Sequence, residues 1–195
     1  MVRAGGLFIV IMGAGVVGGA ALPARRKSLL ILGGAIAAAA IILFAGRLSA
    51  PFGRPSQLQL WFLFGSIALE IVLIRLAVAR YRLAGERTLL LAILFVVGLH
   101  FLPMAVAFGP LCIALGLLLC GCSAIGLWFR PTLSLNGMWT MDGVIKIAFG
   151  AAMFLAKWRS MPASNQALQP TPLAVVLLFF MSYLRVMKPR LQRRG

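Results

Sequence analysis

The chain has 195 residues, of which 62% are hydrophobic and only 11% charged, and its mean hydropathy is +1.03. This composition excludes an ordinary soluble domain and is typical of proteins that cross a membrane several times. The net charge of +16 would indicate nucleic-acid binding in a soluble protein, but here most Lys and Arg residues lie in short segments between apolar runs. We therefore expect a lipid bilayer with anionic headgroups as the partner, and no nucleic acid.

Seven apolar runs predict an all-α, polytopic transmembrane helix bundle. They are residues 5–22, 28–45, 60–78, 89–108, 111–129, 139–155 and 173–187. The last run would extend only about 22 Å against a hydrocarbon core of about 30 Å, so six spans are the alternative. Residues 1–160 are predicted to form the helical core, and residues 161–195 a polar loop, a weak seventh span and a basic cytoplasmic tail.

The distribution of basic residues predicts the orientation. With seven spans and an external N-terminus, eleven basic residues fall inside and five outside, which favours N-terminus out and C-terminus in. The inside residues are Arg25, Arg26, Lys27, Arg80, Arg82, Arg87, Arg130, Lys188, Arg190, Arg193 and Arg194. The outside residues are Arg3, Arg47, Arg54, Lys157 and Arg159. Since this pattern is typical of a bacterial inner membrane protein, that location is expected.

Several residues are predicted to mark span ends. Trp61, Trp128, Trp139 and Trp158 lie close to the ends of apolar runs, where an indole keeps its N–H in contact with water. Asp142 is predicted to cap the sixth helix near its start, and Lys146 to extend its amine to the headgroups. The first run also has features of a signal peptide, but the basic residues 25–27 directly after it oppose translocation.

Glycines in the first two runs predict helix packing. Residues 13–18 match the dinucleotide-binding pattern G-x-G-x-x-G, but Pro23 interrupts the helix and no acidic residue precedes Glu70. The same spacing of glycines is typical of close contacts between membrane helices. Gly15, Gly19, Gly33 and Gly34 are therefore predicted to lie at helix contacts.

Glu70 and His100 are the candidate site, because ionisable side chains inside a membrane span are costly and often functional. Counted from the loop at 80–88, both lie about 15 to 18 Å deep, on spans predicted to be antiparallel neighbours. Ser66, one turn before Glu70, is predicted to add a hydrogen bond. Pro103 is predicted to kink the fourth span beside His100. In the alternative, Glu70 pairs with His100 or Arg75 only to hold the helices together.

No catalytic, metal or cofactor pattern accompanies this pair. The chain has a single histidine and neither an H-E-x-x-H nor a G-x-S-x-G motif, so no enzyme activity is predicted. Its three cysteines, Cys112, Cys120 and Cys122, lie in one apolar run and are interpreted as packing residues.

Two segments carry resemblances. The residues GLHFLPMA at 98–105 resemble a segment of small bacterial integral membrane proteins of unknown function, which implies a membrane location and a kinked fourth span. The residues SNQALQPTP at 164–172 are similar to strings near the C-termini of proteins encoded on integron gene cassettes. That resemblance implies a bacterial, mobile gene, a seventh run added as an appendage, and a functional core of six spans.

Three functions remain open from the sequence. The first is binding or movement of a small solute or a proton through a bundle centred on Glu70 and His100. The second is a non-catalytic membrane scaffold, including a homo-oligomer, associating through the Gly/Ala-rich first two spans. The third is an enzyme acting on lipid.

Overall fold

The computed structural model describes residues 2–49, 56–129 and 132–155, and every regular element among them is helical. The helices are α1 (Val2–Ala21), α2 (Arg26–Ser49), α3 (Gln57–Tyr81), α4 (Glu86–Phe108), α5 (Leu111–Ala124) and α6 (Leu135–Leu155). A 3-10 turn, Pro23–Arg25, joins α1 to α2, and α5 continues into a π-helical segment, Ile125–Phe129.

Five of the described helices are long and apolar enough to cross a membrane. They are Val2–Ala21, Gln57–Tyr81, Glu86–Phe108, Leu111–Trp128 and Leu135–Leu155. The second predicted span lies within α2, which is not among these five, and the seventh lies outside the described residues. The structure is therefore an all-helical membrane bundle, and the prediction of seven spans is not supported.

Most helices begin before the apolar runs that predicted them, and polar residues cap two of them, α3 and α6. Ser56 and Gln59 form a reciprocal capping box at the start of α3. At the start of α6, the hydroxyl of Ser134 accepts a hydrogen bond from the Gly137 N–H at 3.1 Å. The prediction that Asp142 caps α6 is therefore wrong, since this residue lies two turns inside the helix.

The helices form two groups, and two hydrophobic clusters lie where the groups meet. Helix α1 packs between α2 and α6, α4 packs between α3 and α5, and α5 also contacts α6. One hydrophobic cluster consists of Ile9, Phe101, Met104, Cys112, Leu115, Leu119 and Met153. A second consists of Val16, Ala20, Leu91, Leu94, Met138 and Trp139. Both clusters contain side chains from α1, α4 and α6, so these three helices form the centre of the bundle.

Glycines bring several helix backbones into direct contact. A Cβ atom on Gly6 would lie 2.6 Å from the Gly150 carbonyl oxygen, and one on Gly13 would lie 2.8 Å from the Gly143 carbonyl oxygen. Both helices thus present a glycine every seven residues, and α1 and α6 approach closely along this line. These four glycines are not among those predicted to lie at helix contacts.

The glycines that were predicted to pack differ among themselves. Gly15 and Gly33 face each other across α1 and α2, and a Cβ atom on Gly33 would lie 3.3 Å from the Gly15 Cα. Gly19 instead lies against Arg26 and Trp139, whereas the nearest atom to a Cβ on Gly34 would be the Met12 sulfur at 3.7 Å. The contact between α1 and α2 therefore depends mainly on Gly15 and Gly33.

The tryptophans divide between the surface and the core. Trp61 is 74% exposed, four residues from the start of α3. Trp139 is only 2% exposed and packs in the second hydrophobic cluster. Its predicted place at the water interface is wrong, because α6 starts four residues earlier and the α1 contact covers the indole. Trp158 lies outside the described residues.

Candidate functional site

Glu70 and His100 lie side by side on neighbouring helices. Glu70 is eleven residues from the Tyr81 end of α3, and His100 is fourteen residues from the Glu86 end of α4. These separations correspond to depths of about 17 and 21 Å from the turn that joins the two helices. His100 Nδ1 lies 3.7 Å from Glu70 Oε1, and the side chains are 9% and 24% exposed. The structure therefore brings together the two residues selected from the sequence.

A second ionic pair from α6 completes the site. Lys146 Nζ donates to Asp142 Oδ2 at 2.5 Å, and these side chains are only 6% and 3% exposed. We call these two pairs, Glu70–His100 and Asp142–Lys146, the buried charge cluster.

The environment of Lys146 differs from the prediction that its amine reaches the headgroups. Lys146 lies eleven residues from the start of α6, a depth of about 17 Å. Its amine pairs with Asp142 one helical turn earlier instead of extending outward. The spacing of the two residues could have predicted this pair, because opposite charges four residues apart lie on the same helix face.

Two polar atoms of the cluster lack a hydrogen-bond partner among the described residues. They are His100 Nδ1 and Asp142 Oδ1, and both are buried. Nδ1 is the atom that lies 3.7 Å from Glu70 Oε1, and Oδ1 is the oxygen of Asp142 that does not pair with Lys146. Because buried polar atoms are usually satisfied, both are candidates for a functional hydrogen bond.

Three other residues considered in the sequence lie on the same two helices as Glu70 and His100. Ser66 is buried on α3 and donates its hydroxyl hydrogen to the Leu63 carbonyl at 2.8 Å, so this proton is not directed to Glu70. Pro103 lies inside α4 three residues after His100, where it cannot donate to the Leu99 carbonyl. Arg75 is exposed on α3.

The cluster holds most of the acidic residues of the chain and its one histidine. The whole chain contains three acidic residues and one histidine, and the cluster holds two of those acids and that histidine. With a neutral imidazole the four side chains sum to one negative charge, and with a protonated imidazole they sum to zero. Protonation of the imidazole therefore changes the net charge of the cluster by one unit.

The described residues contain no recognisable metal site. Within the described ranges, no group of three or more His, Cys, Asp and Glu side chains is placed to hold a metal ion. Cys112 and Cys120 are buried in the core as free thiols, and the Cys120 sulfur lies 3.5 Å from the Phe95 carbonyl oxygen.

A further buried charge, outside the cluster, lies near the end of the bundle that the sequence predicts to be cytoplasmic. Arg26 is only 7% exposed, and its guanidinium donates to the Gly19 carbonyl at 3.2 Å and to Asn136 Oδ1 at 2.6 Å. It also lies over the Trp139 ring, 4.9 Å from the centroid. Arg26 therefore connects the end of α1 and the start of α2 to the start of α6, a structural role that the charge count did not reveal.

The cluster and the glycine contacts lie within a segment that matches a known protein family. The family model covers residues 2–162. The chain belongs to the family of unknown function DUF6609. The matched segment includes residues 98–105, which resemble small membrane proteins of unknown function, and ends before the cassette-like string at 164–172. No curated protein and no solved structure matches the chain.

Proposed function

We propose that this chain is a multi-pass protein of the bacterial inner membrane that binds a proton at the buried charge cluster and moves it through the bundle, alone or with a small solute. The observation that carries this proposal is the 3.7 Å separation of His100 Nδ1 and Glu70 Oε1 at mid-depth on two neighbouring helices. Ionisable residues at this depth are expensive, and in membrane proteins they commonly mark ion or proton pathways. The N-terminus is proposed to lie outside and the C-terminus inside.

The geometry of the pair suits reversible protonation. A separation of 3.7 Å is longer than an ordinary hydrogen bond but within the range of an ion pair. Protonation of the imidazole would draw the two groups together, and loss of that proton would release them. Glu70 retains 24% exposure, which supports access to its carboxylate from outside the core.

The alternative of a scaffold is less well supported. Gly15 and Gly33, which were its predicted contact residues, pack against each other within the chain. A homo-oligomer remains compatible with the proton proposal, and no catalytic role is proposed. The family match ends at residue 162, which supports a functional core in residues 1–160 and an appended segment at 161–195.

Proton movement can be measured in liposomes that contain the purified full chain and an internal pH-sensitive dye. With a potassium diffusion potential as the driving force, we expect the wild type to acidify the lumen faster than protein-free liposomes. Glu70→Gln should reduce this rate to the protein-free level, because the amide cannot accept the proton. Glu86→Gln removes an exposed acid at the start of α4 and is the matched control, with flux expected to be unchanged.

Two outcomes would contradict the proposal. Wild-type flux equal to that of protein-free liposomes across a range of pH, with and without the solutes of a counterflow screen, would show that the protein does not move protons. Equal rates for Glu70→Gln and the wild type would show that protons pass elsewhere. A screen for solute counterflow then decides whether proton movement requires a co-transported solute.

A further inference from the structure

We propose that buried water binds along the inner face of α6, where it accepts a hydrogen bond from the indole N–H of Trp139 and donates one to the free oxygen of Asp142. Arg26 closes this water off from the end of the bundle at which α6 begins. A part for the water in proton movement rests on the proposed function, whereas the water site itself does not.

Trp139 and Asp142 each contain a buried polar atom that needs a partner. Trp139 Nε1 and Asp142 Oδ1 make no hydrogen bond among the described residues, and both residues are only 2% exposed. The indole nitrogen is a donor and the carboxylate oxygen is an acceptor, so one water molecule can serve both kinds of group. Buried water in proteins typically makes about three hydrogen bonds to groups that would otherwise stay unsatisfied.

The spacing along α6 brings the two groups to the same side of the helix. Trp139 and Asp142 are three residues apart, and side chains at this spacing are neighbours with Cβ atoms about 5–6 Å apart. The indole nitrogen faces α1, because a Cβ atom on Gly19 would lie 3.3 Å from it. Glycine at position 19 therefore leaves room beside the N–H that a larger side chain would occupy.

The ion pair with Lys146 uses only one side of the Asp142 carboxylate. Lys146 Nζ donates to Oδ2 at 2.5 Å, one helical turn beyond Asp142 and away from Trp139. A buried ion pair is stable only when its remaining lone pairs are also satisfied. The indole N–H does not bond to Oδ1 directly. Water between them supplies the missing hydrogen bonds at little cost.

Arg26 lies across the end of this line of polar groups. Asn136, one turn before Trp139, is exposed in the first turn of α6. The Arg26 guanidinium donates to Asn136 Oδ1 at 2.6 Å and to the Gly19 carbonyl at 3.2 Å. It also lies 4.9 Å from the centre of the Trp139 ring. Arg26 thus separates the exposed Asn136 from the buried indole, and water exchanges at this end when its hydrogen bonds open.

The test is NMR of the full chain in lipid nanodiscs, with isotope-labelled tryptophan indoles. The Trp139 signal is assigned by its loss in Trp139→Phe, and we expect a cross-peak between its N–H and water. Asp142→Asn combined with Lys146→Met removes both charges but keeps an acceptor oxygen, so it should retain the cross-peak. Asp142→Leu combined with Lys146→Met is the matched variant without that oxygen and should lose it.

Exchange of the Trp139 N–H with deuterium tests the role of Arg26. Arg26→Lys keeps the charge but cannot hold both acceptors in the planar geometry of a guanidinium. Exchange should become faster by about tenfold or more, as expected when a hydrogen bond from a charged group no longer opposes local opening. Arg25→Lys, at the exposed neighbouring position, should exchange like the wild type.

The outcomes separate the water site from the proposed function. Absence of the cross-peak in the wild type, or its persistence in Asp142→Leu with Lys146→Met, would overturn the water site. Equal exchange in Arg26→Lys and the wild type would overturn closure by Arg26. A cross-peak that behaves as expected, without any proton flux in liposomes, would keep the water site and refute the proposed function. Flux without the cross-peak would do the reverse.

Discussion

A Cβ atom on Gly143 of α6 would lie 2.8 Å from the carbonyl oxygen of Gly13 on α1, closer than real Cβ contacts come. The two helix backbones are therefore in direct contact at this point. Because Gly143 directly follows Asp142, this contact also places the carboxylate of the buried charge cluster. Packing of α1 on α6 and the position of the ion pair thus depend on the same turn of helix.

Alanine at position 143 should force α1 and α6 apart. Overpacking of a tight contact typically costs about 1–3 kcal/mol, and we expect Gly143→Ala to lower the free energy of unfolding by this amount. Gly121→Ala is the matched control, since a Cβ atom there meets no other atom within 4 Å. The measurement is reversible unfolding in mixed micelles. Equal stability of the two variants would mean that the α1–α6 contact is looser than described.

Removal of one partner of the α6 ion pair should cost more than removal of both. Lys146→Met leaves the Asp142 carboxylate buried without its cation, a change that typically destabilises by about 3–5 kcal/mol. Asp142→Asn in the same chain removes that charge, so the double variant should recover most of the loss. Unfolding of the two variants in the same micelles gives the comparison. A double variant as unstable as Lys146→Met would contradict a direct pair.

Arg26 should stabilise the bundle although it belongs to a basic segment. Arg26→Ala removes hydrogen bonds to Gly19 and Asn136 and the cation over Trp139, and we expect a loss of about 2 kcal/mol or more. This loss of stability can be measured from the tryptophan fluorescence during thermal unfolding in detergent. Arg25→Ala, an exposed neighbour, should unfold like the wild type. Equal thermal stability of the two variants would show that Arg26 does not stabilise the bundle and serves only as one of the basic residues that set the topology.

The orientation prediction is testable by labelling single cysteines in a variant without the three native ones. Leu83→Cys, in the turn between α3 and α4, should react with an impermeant thiol reagent only after the cells are opened. Gln57→Cys, exposed at the opposite end of α3, should react in intact cells. The reverse pattern would overturn the assignment of N-terminus out.

The segment after the matched family region is predicted to be dispensable for folding. A chain truncated after Pro162 retains residues 2–162 and should insert into the membrane and remain monodisperse in detergent. Size-exclusion chromatography of the truncated and full chains makes the comparison. Aggregation of the truncated chain alone would show that residues 163–195 are an integral part of the bundle.

The sequence predicted the helical elements well, because apolar runs of about 20 residues have few alternatives in a membrane. It placed α4 and α5 on either side of Gly109, which has a φ of +93° that glycine readily adopts. The helix starts were less accurate, since capping residues such as Ser56 and Ser134 extend helices beyond the apolar runs.

Depth counting along α3 and α4 was sufficient to pair Glu70 with His100, because a short turn between two helices makes them antiparallel neighbours and a helix rises by a constant amount per residue. The sequence by itself thus determined that the chain is a multi-span membrane protein, where most of its helices lie, and that Glu70 and His100 are neighbours. Only the tertiary structure decided that Asp142 and Lys146 are buried inside the bundle as a pair. Their inward direction depends on the rotation of α6 about its axis, which is set by the glycine contact with α1, between residues far apart in the chain.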